Sequence, residues 1–305
     1  MGPIAFLVTN DPRHGLGHWR RMGVLATALK AEGAAVSLIV SYSPVRSSAT
    51  AIYDSFCSLA DAVATAALIV LDGKDFAAAD LSALAAVKSK LVLIDDMGHP
   101  EAGSARLVIN PNIYGHELTY DPAAFAEVLA GPQWNLIDPR YAEVARETER
   151  DRIAVCFGGA DDGSWALPVL AALKGAVVWL DAGQRKLVPA MRDLLAERPD
   201  ITQLISPDDM AGFYACTDIL VCGAGQMAIE GLASGCKVIA VKVAADQALQ
   251  IKALEALGVT VFQELNAAAI AAAAGHAAKV QCPHIAGGPA RVAKRLMELA
   301  SEVAV

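Results

Sequence analysis

The chain has 305 residues, 55% of them hydrophobic and 19% charged, which is enough apolar material for a sizeable core and too much for a disordered chain. Lys and Arg number 25 against 33 Asp and Glu, and a formal net charge of −8 argues against general attraction to nucleic acid or anionic membranes. No stretch reaches the ~18 uninterrupted apolar residues of a membrane span, and Met1–Leu7 lacks the basic flank of a secretory signal, so a cytoplasmic protein without stable membrane insertion is expected.

Apolar runs rich in β-branched residues predict strands at Ile4–Thr9, Ala35–Val40, Leu68–Leu71, Leu91–Ile94 and Leu107–Ile109. A second set follows at Ile153–Phe157, Val177–Leu180, Ile201–Ile205, Ile219–Cys222 and Val238–Val243. Near-continuous runs, as opposed to alternating ones, imply parallel sheets covered on both faces. Helical segments are expected between them at Trp19–Ala31, Ser47–Leu59, Arg185–Glu197 and Gln247–Leu257. The fold class is therefore α/β, with two Rossmann-like, doubly wound domains at 1–150 and 151–305. Leu136–Arg152, with Pro139 and the charged run Arg146–Arg152, reads as a linker carrying a short solvated helix. The last helix, Pro289–Val303, has spacing that lets it return onto the first domain. Six cysteines are spread without a CxxC pair and read as core residues; no metal site and no cofactor is expected.

In such folds ligands meet the loops that follow the strands. After the first strand, Arg13-His14-Gly15-Leu16-Gly17-His18-Trp19-Arg20-Arg21 leads into a helix. Gly15 and Gly17 permit close backbone approach, and the helix start offers N–H groups to an anion. A helix start also disfavours an imidazolium, which makes His18 a candidate general base, with a surface histidine at a helix cap as the plain alternative. In the second half, Gly223-Ala224-Gly225-Gln226-Met227-Ala228 fits GxGxxA between a strand and a helix. Read alone it suits a dinucleotide; equally, its helix N-terminus suits a diphosphate, with Glu230 a turn further on accepting from ribose hydroxyls. Gln247 follows another strand. Asp95-Asp96 and Asp161-Asp162 end strands at the functional edge, where caps and turns are as common as sites.

Taken in order, these pieces resemble the UDP-sugar hydrolases of pseudaminic acid biosynthesis, a GT-B group related to spore-coat polysaccharide proteins and MurG-type transferases. Gly15-x-Gly17-His18-x-x-Arg21 is similar to that family's GxGHxxR motif, Leu93-Ile94-Asp95-Asp96 to its IDD element, and Asn110-Pro111-Asn112 to its NxN segment. Gly131-Pro132-Gln133-Trp134-Asn135-Leu136 stands for its GxxYALL segment and Phe157-Gly158-Gly159-Ala160-Asp161 for its FGGSD turn. Two departures touch sugar or phosphate contacts: Lys74, two places after Asp72, stands where a Tyr is common, and Gln226-Met227-Ala228 replace small hydroxyl and aromatic residues.

The resemblance implies a UDP-linked diacetamido sugar held in an interdomain cleft and a monomer or weak oligomer acting in flagellin or surface glycosylation. It implies catalytic roles for His18, Arg21 and Asp95. It further implies binding roles for Gly15, Gly17, Asn112, Gly158, Gly159, Gly223, Gly225, Gln226, Glu230 and Gln247. His18 would activate water for inverting, metal-independent attack at the anomeric carbon, and Arg21, turned inward, would steady the leaving UDP. The alternatives are a GT-B glycosyltransferase using a UDP-sugar, a nicotinamide-dependent oxidoreductase built on the GxGxxA loop, and a non-catalytic nucleotide-sugar-binding protein.

Overall fold

A computed structural model describes residues 2–9, 17–39, 52–98, 100, 102–144, 152–183, 185–207, 209–282 and 284–303. The chain forms two compact units. One gathers Leu16–Asp138 and His284–Val305 with the N-terminal strand; the other is Pro139–Pro283. No helix among the described residues is long and apolar enough to cross a membrane.

The first unit is a parallel sheet of β1 (Ile4–Val8), β2 (Val36–Ile39), β3 (Ser55–Cys57), β4 (Leu68–Asp72), β5 (Leu91–Ile94), β6 (Ala105–Asn110) and β7 (Phe125–Ala130), in the order β3-β2-β1-β4-β5-β6-β7. Successive strand residues point to opposite faces, and both faces are covered. Ile4, Phe6, Val8, Leu68, Val70, Val92 and Ile94 pack beneath helix α1 (Gly17–Ala31) and the helix Gly288–Val303. Ala5, Leu7, Ile69, Leu71, Leu91 and Leu93 pack beneath helices Leu59–Thr65 and Ala78–Ala85. The helix Gly288–Val303 sits on α1 through Val292, Ala293, Leu296, Leu299 and Ala300, all fully buried at helical spacing. Arg295 grips Glu127 of the edge strand β7 at 2.7 Å.

The second unit repeats the topology with β8 (Ile153–Cys156), β9 (Val177–Asp181), β10 (Ile201–Ile205), β11 (Ile219–Gly223), β12 (Lys237–Val241) and β13 (Thr260–Phe262), in the order β10-β9-β8-β11-β12-β13. Every strand pairing in both sheets is parallel. Val155, Val221, Ile239 and Trp179 form one core face against helices Ala166–Ala172, Pro189–Glu197 and Ala267–Ala274. This is the doubly wound α/β class that the apolar runs imply.

Three local expectations change. The helix Ser47–Leu59 does not hold over its second half: Ser55–Cys57 is strand β3, and Ser58 instead caps Leu59–Thr65 in a reciprocal box with Asp61. Residues 47–51 lie outside those described. Leu136 and Ile137 are not linker but buried residues, and Leu136 joins the core of the first unit. The short helix after Pro139 is Arg140–Glu143, while 145–151, most of the charged run, lie outside the described residues.

Candidate functional site

In each sheet the chain winds one way, then the other, and the reversal falls between β1 and β4 in the first unit and between β8 and β11 in the second. Outside the carboxyl ends of the strands at such a point, loops part and leave room for a ligand.

In the first unit four charged or basic side chains converge there. His18 is the second residue of α1 and is 12% exposed. Asp72, the last residue of β4, is fully buried. Its Oδ1 lies 2.8 Å from His18 Nδ1, and Arg21 donates to both its oxygens, Nε to Oδ2 at 2.7 Å and Nη2 to Oδ1 at 2.5 Å. The same guanidinium donates Nη1 to Asp96 Oδ1 at 2.8 Å and Nη2 to Asp96 Oδ2 at 3.0 Å. Asn112 Nδ2 donates to Asp96 Oδ1 at 2.8 Å, and Tyr114 Oη donates to the Asp96 carbonyl at 2.9 Å. Arg21 is thus forked between two carboxylates, the geometry a planar guanidinium favours.

The electrostatics follow from this packing. Burial opposes the charge on Asp72, yet Arg21 and His18 outweigh it and hold the carboxyl below its ordinary range. Asp96 is lowered in the same way, with burial again opposed chiefly by Arg21. For Arg21, burial works against the cation while Asp72 and Asp96 raise its pKa well above the ordinary value. All three stay ionised at neutral pH.

His18 Nδ1 also stands 3.0 Å from Arg21 Nη2. A guanidinium only donates and a carboxylate only accepts, so the ring nitrogen answers one or the other. The closer partner is Asp72. With Nδ1–H donated to it, the lone pair sits on Nε2, the state of a general base.

Of the two other expected catalytic residues, one joins His18 and one does not. Arg21 does turn inward, where four of its five N–H groups go to Asp72 and Asp96 and tie the cluster together. Asp95 is not a member. Its Oδ2 accepts from Gly98 N and from Tyr120 Oη, each at 2.6 Å, and Tyr120 in turn accepts from Asn110. The reason is strand parity: Leu91 and Leu93 face away from α1, and Asp95 follows them, whereas Val92 and Ile94 face α1, and Asp96 follows those. Asp72 extends the α1-facing series Leu68 and Val70 by the same rule. It was missed as a site residue, and this parity is the signal that identifies it.

Gly73, directly after Asp72, has φ +147, and a Cβ there would stand on the Thr9 side chain at the end of β1. Lys74, which stands where a tyrosine is common, follows it and donates its N–H to the Thr9 hydroxyl at 3.2 Å. Gly15 lies outside the described residues; Gly17 opens α1.

In the second unit, Gly223 ends β11 and Gly225 is the N-cap of helix Gln226–Ala233, with no side-chain cap bond. Ala228 N turns back to the Gly225 carbonyl at 3.1 Å, while the N–H groups of Gln226 and Met227 come too early in the helix to have a carbonyl a turn behind them. Gln247 lies over the loop. Its Oε1 accepts from Val243 N at 2.9 Å, which turns Nε2 toward the glycines: a Cβ on Gly223 or Gly225 would come within 3.7 or 3.8 Å of it. Phe157 and the half-buried Gly158 and Gly159 follow the adjoining strand β8, with Gly158 at φ +86. Asp161 serves the turn, accepting from Gly163 N and Trp165 N. Glu230 is 5% exposed and accepts from the fully buried Tyr214 Oη at 2.6 Å. The structure places that carboxylate in the interior beside Tyr214, not at the helix start with Gly225 and Gln226.

No family model matches the chain, and no curated protein matches it. Solved structures do. HepE of Anabaena, in a crystal structure with UDP, is similar over 99% of this chain and 98% of its own, at 14% identity and a TM-score of 0.58. A glycotransferase of kitacinnamycin gives 14% identity and a TM-score of 0.61 over 99% and 95% of the two chains. MurG of Acinetobacter baumannii gives 17% and 0.53 over 99% and 93%. At these identities the likeness establishes the two-unit Rossmann-like fold of GT-B glycosyltransferases.

Proposed function

We propose that this protein is a glycosyltransferase that takes a sugar from a UDP-sugar and passes it to an acceptor hydroxyl, with His18 as the base. The observation that carries the reading is the His18–Asp72 pair, locked by Arg21 and Asp96, at the strand reversal of the first unit. Its support from outside the chain is that solved structures sharing the fold include glycosyltransferases, and that HepE was solved with UDP and glucose.

The chemistry is a single displacement. His18 Nε2 takes the proton of the attacking hydroxyl as its oxygen bonds to the anomeric carbon. The bond from that carbon to the diphosphate oxygen breaks, and UDP leaves with the electron pair, so configuration inverts. Asp72 keeps the Nδ1 proton in place and stabilises the positive charge that develops on the ring, as a buried carboxylate does in other histidine-based sites. The diphosphate is assigned to the second unit, at the start of helix Gln226–Ala233, with Gln247 Nε2 as an added donor.

A second reading has water as the acceptor, which makes the protein a UDP-sugar hydrolase releasing a diacetamido trideoxy hexose. It is supported by the resemblance of Gly15-x-Gly17-His18-x-x-Arg21 to the GxGHxxR motif of that hydrolase family. One experiment separates the two: UDP release from a panel of UDP-sugars, with and without acceptor alcohols, in isotopically labelled water. Release that depends on an acceptor supports transfer; release without one, with label on the sugar carbon, supports hydrolysis. No release from any UDP-sugar, or a His18→Ala variant as fast as the parent, refutes both.

A further inference from the structure

Tyr53 took no part in the sequence reading. It is 4% exposed and packed on the α1 side of the first sheet, edge-on to Phe6 of β1 (centroids 6.0 Å apart) and tilted against Trp19 of α1 (6.2 Å). Trp19 adjoins His18 in sequence. The Tyr53 hydroxyl is buried and has no hydrogen-bond partner among the described residues. Burial raises its phenol far above the ordinary value, and the charge of Asp72 raises it further. The other buried side-chain atoms without a partner among the described residues, Ser234 Oγ and Gln250 Oε1, belong to the second unit.

A buried hydroxyl left unpaired costs free energy that the fold recovers by replacing it with a phenylalanine edge, since the ring packing is unchanged. A donor kept under that penalty, against the Trp19 ring that adjoins His18, matches a partner that is not part of the chain. We infer that Tyr53 Oη is a positioning residue of the His18 site, donating to a hydroxyl oxygen of the glycosyl group when substrate is bound. The inference rests on the reading of that site as one that acts on a sugar.

Tyr53→Phe tests it in the full-length protein through melting temperature and turnover. The expected result is a split: the apo variant melts at or above the parent temperature while kcat/KM for the UDP-sugar falls about 3- to 10-fold, the worth of one neutral hydrogen bond. A variant that melts lower shows that the hydroxyl already has a partner in the fold and overturns the inference. Equal turnover with equal or raised melting overturns it too. Should the parent release no UDP from any UDP-sugar, the functional reading falls by itself, and melting with UDP-glucose or UDP-N-acetylglucosamine decides about Tyr53. A ligand-induced rise present in the parent and diminished in Tyr53→Phe sustains the site, and an identical rise or none in either protein ends it.

Discussion

Replacing Asp72 with asparagine keeps the shape of the side chain and removes its charge. In the structure its two oxygens receive three donors, His18 Nδ1, Arg21 Nε and Arg21 Nη2. Whichever way the amide turns, an NH₂ faces at least one of them. Arg21 keeps Asp96 through Nη1 and Nη2, so the loss falls near the lower end of the range for breaking a buried ion pair, about 3 kcal/mol. For a unit of this size each kcal/mol moves the melting temperature by about 2–4 °C, so the variant melts ~6–12 °C lower.

The effect on rate is separate. Without a carboxylate at Nδ1, Arg21 Nη2 at 3.0 Å becomes the ring's donor there, and the proton moves to Nε2, where a base cannot carry it. Turnover falls by about 10²–10⁴, the span of general-base catalysis. The assay is a melt plus UDP release by Asp72→Asn, His18→Ala and the double variant. Because the two residues act as one unit, the double variant is no slower than His18→Ala alone. Losses that multiply, or an Asp72→Asn protein within tenfold of the parent, refute the argument.

The lowered carboxyls of Asp72 and Asp96 contribute stability that is fully present above the ordinary carboxyl range, near pH 4, and is lost as pH falls through their depressed values. The parent's melting temperature therefore drops on acidification below about pH 4, and the drop is smaller in Asp72→Asn; equal acid slopes contradict this. Gly73→Ala meets Thr9 and a positive φ together, and is expected to cost well over about 1 kcal/mol and to abolish turnover; a stable, active variant shows the strand ends are not held as described. Gln247→Ala removes the donor above the glycine loop and the acceptor of Val243 N. UDP titration by calorimetry should show binding weakened about 3- to 10-fold with the His18 cluster untouched, and unchanged affinity removes Gln247 from the diphosphate site.

The interior strands were legible because each is an apolar run of four to six residues buried on both faces, as at Leu91–Ile94. The strands missed are β3, β7 and β13, and all three lie at sheet edges. Ser55–Cys57 exposes Ser55 and Phe56, Phe125–Ala130 carries Glu127, and Thr260–Phe262 is half-buried throughout, so none presents a continuous apolar signal. At the site, His18 and Arg21 were visible from their spacing with the glycines. The choice between Asp95 and Asp96 depended on which face of β5 each follows, a parity contained in the residues and readable only once α1 is known to cover the even-numbered side. The orphaned Tyr53 hydroxyl had no such signal, since nothing in a sequence reports that a buried polar atom lacks a partner.

The helix Gly288–Val303 belongs to the core of the first unit although all of Pro139–Pro283 is synthesised before it. On the ribosome the order of completion is therefore reversed. The later-starting half has all its strands in one continuous segment and can close early, while the earlier half waits, with the faces of Met22, Leu25 and Leu29 that meet this helix still uncovered. A nascent chain stalled before Gly288 would thus present a greasy, incomplete α1 surface to chaperones, and clipping that terminal helix from the finished protein would loosen the half bearing His18 while leaving the glycine-loop half intact.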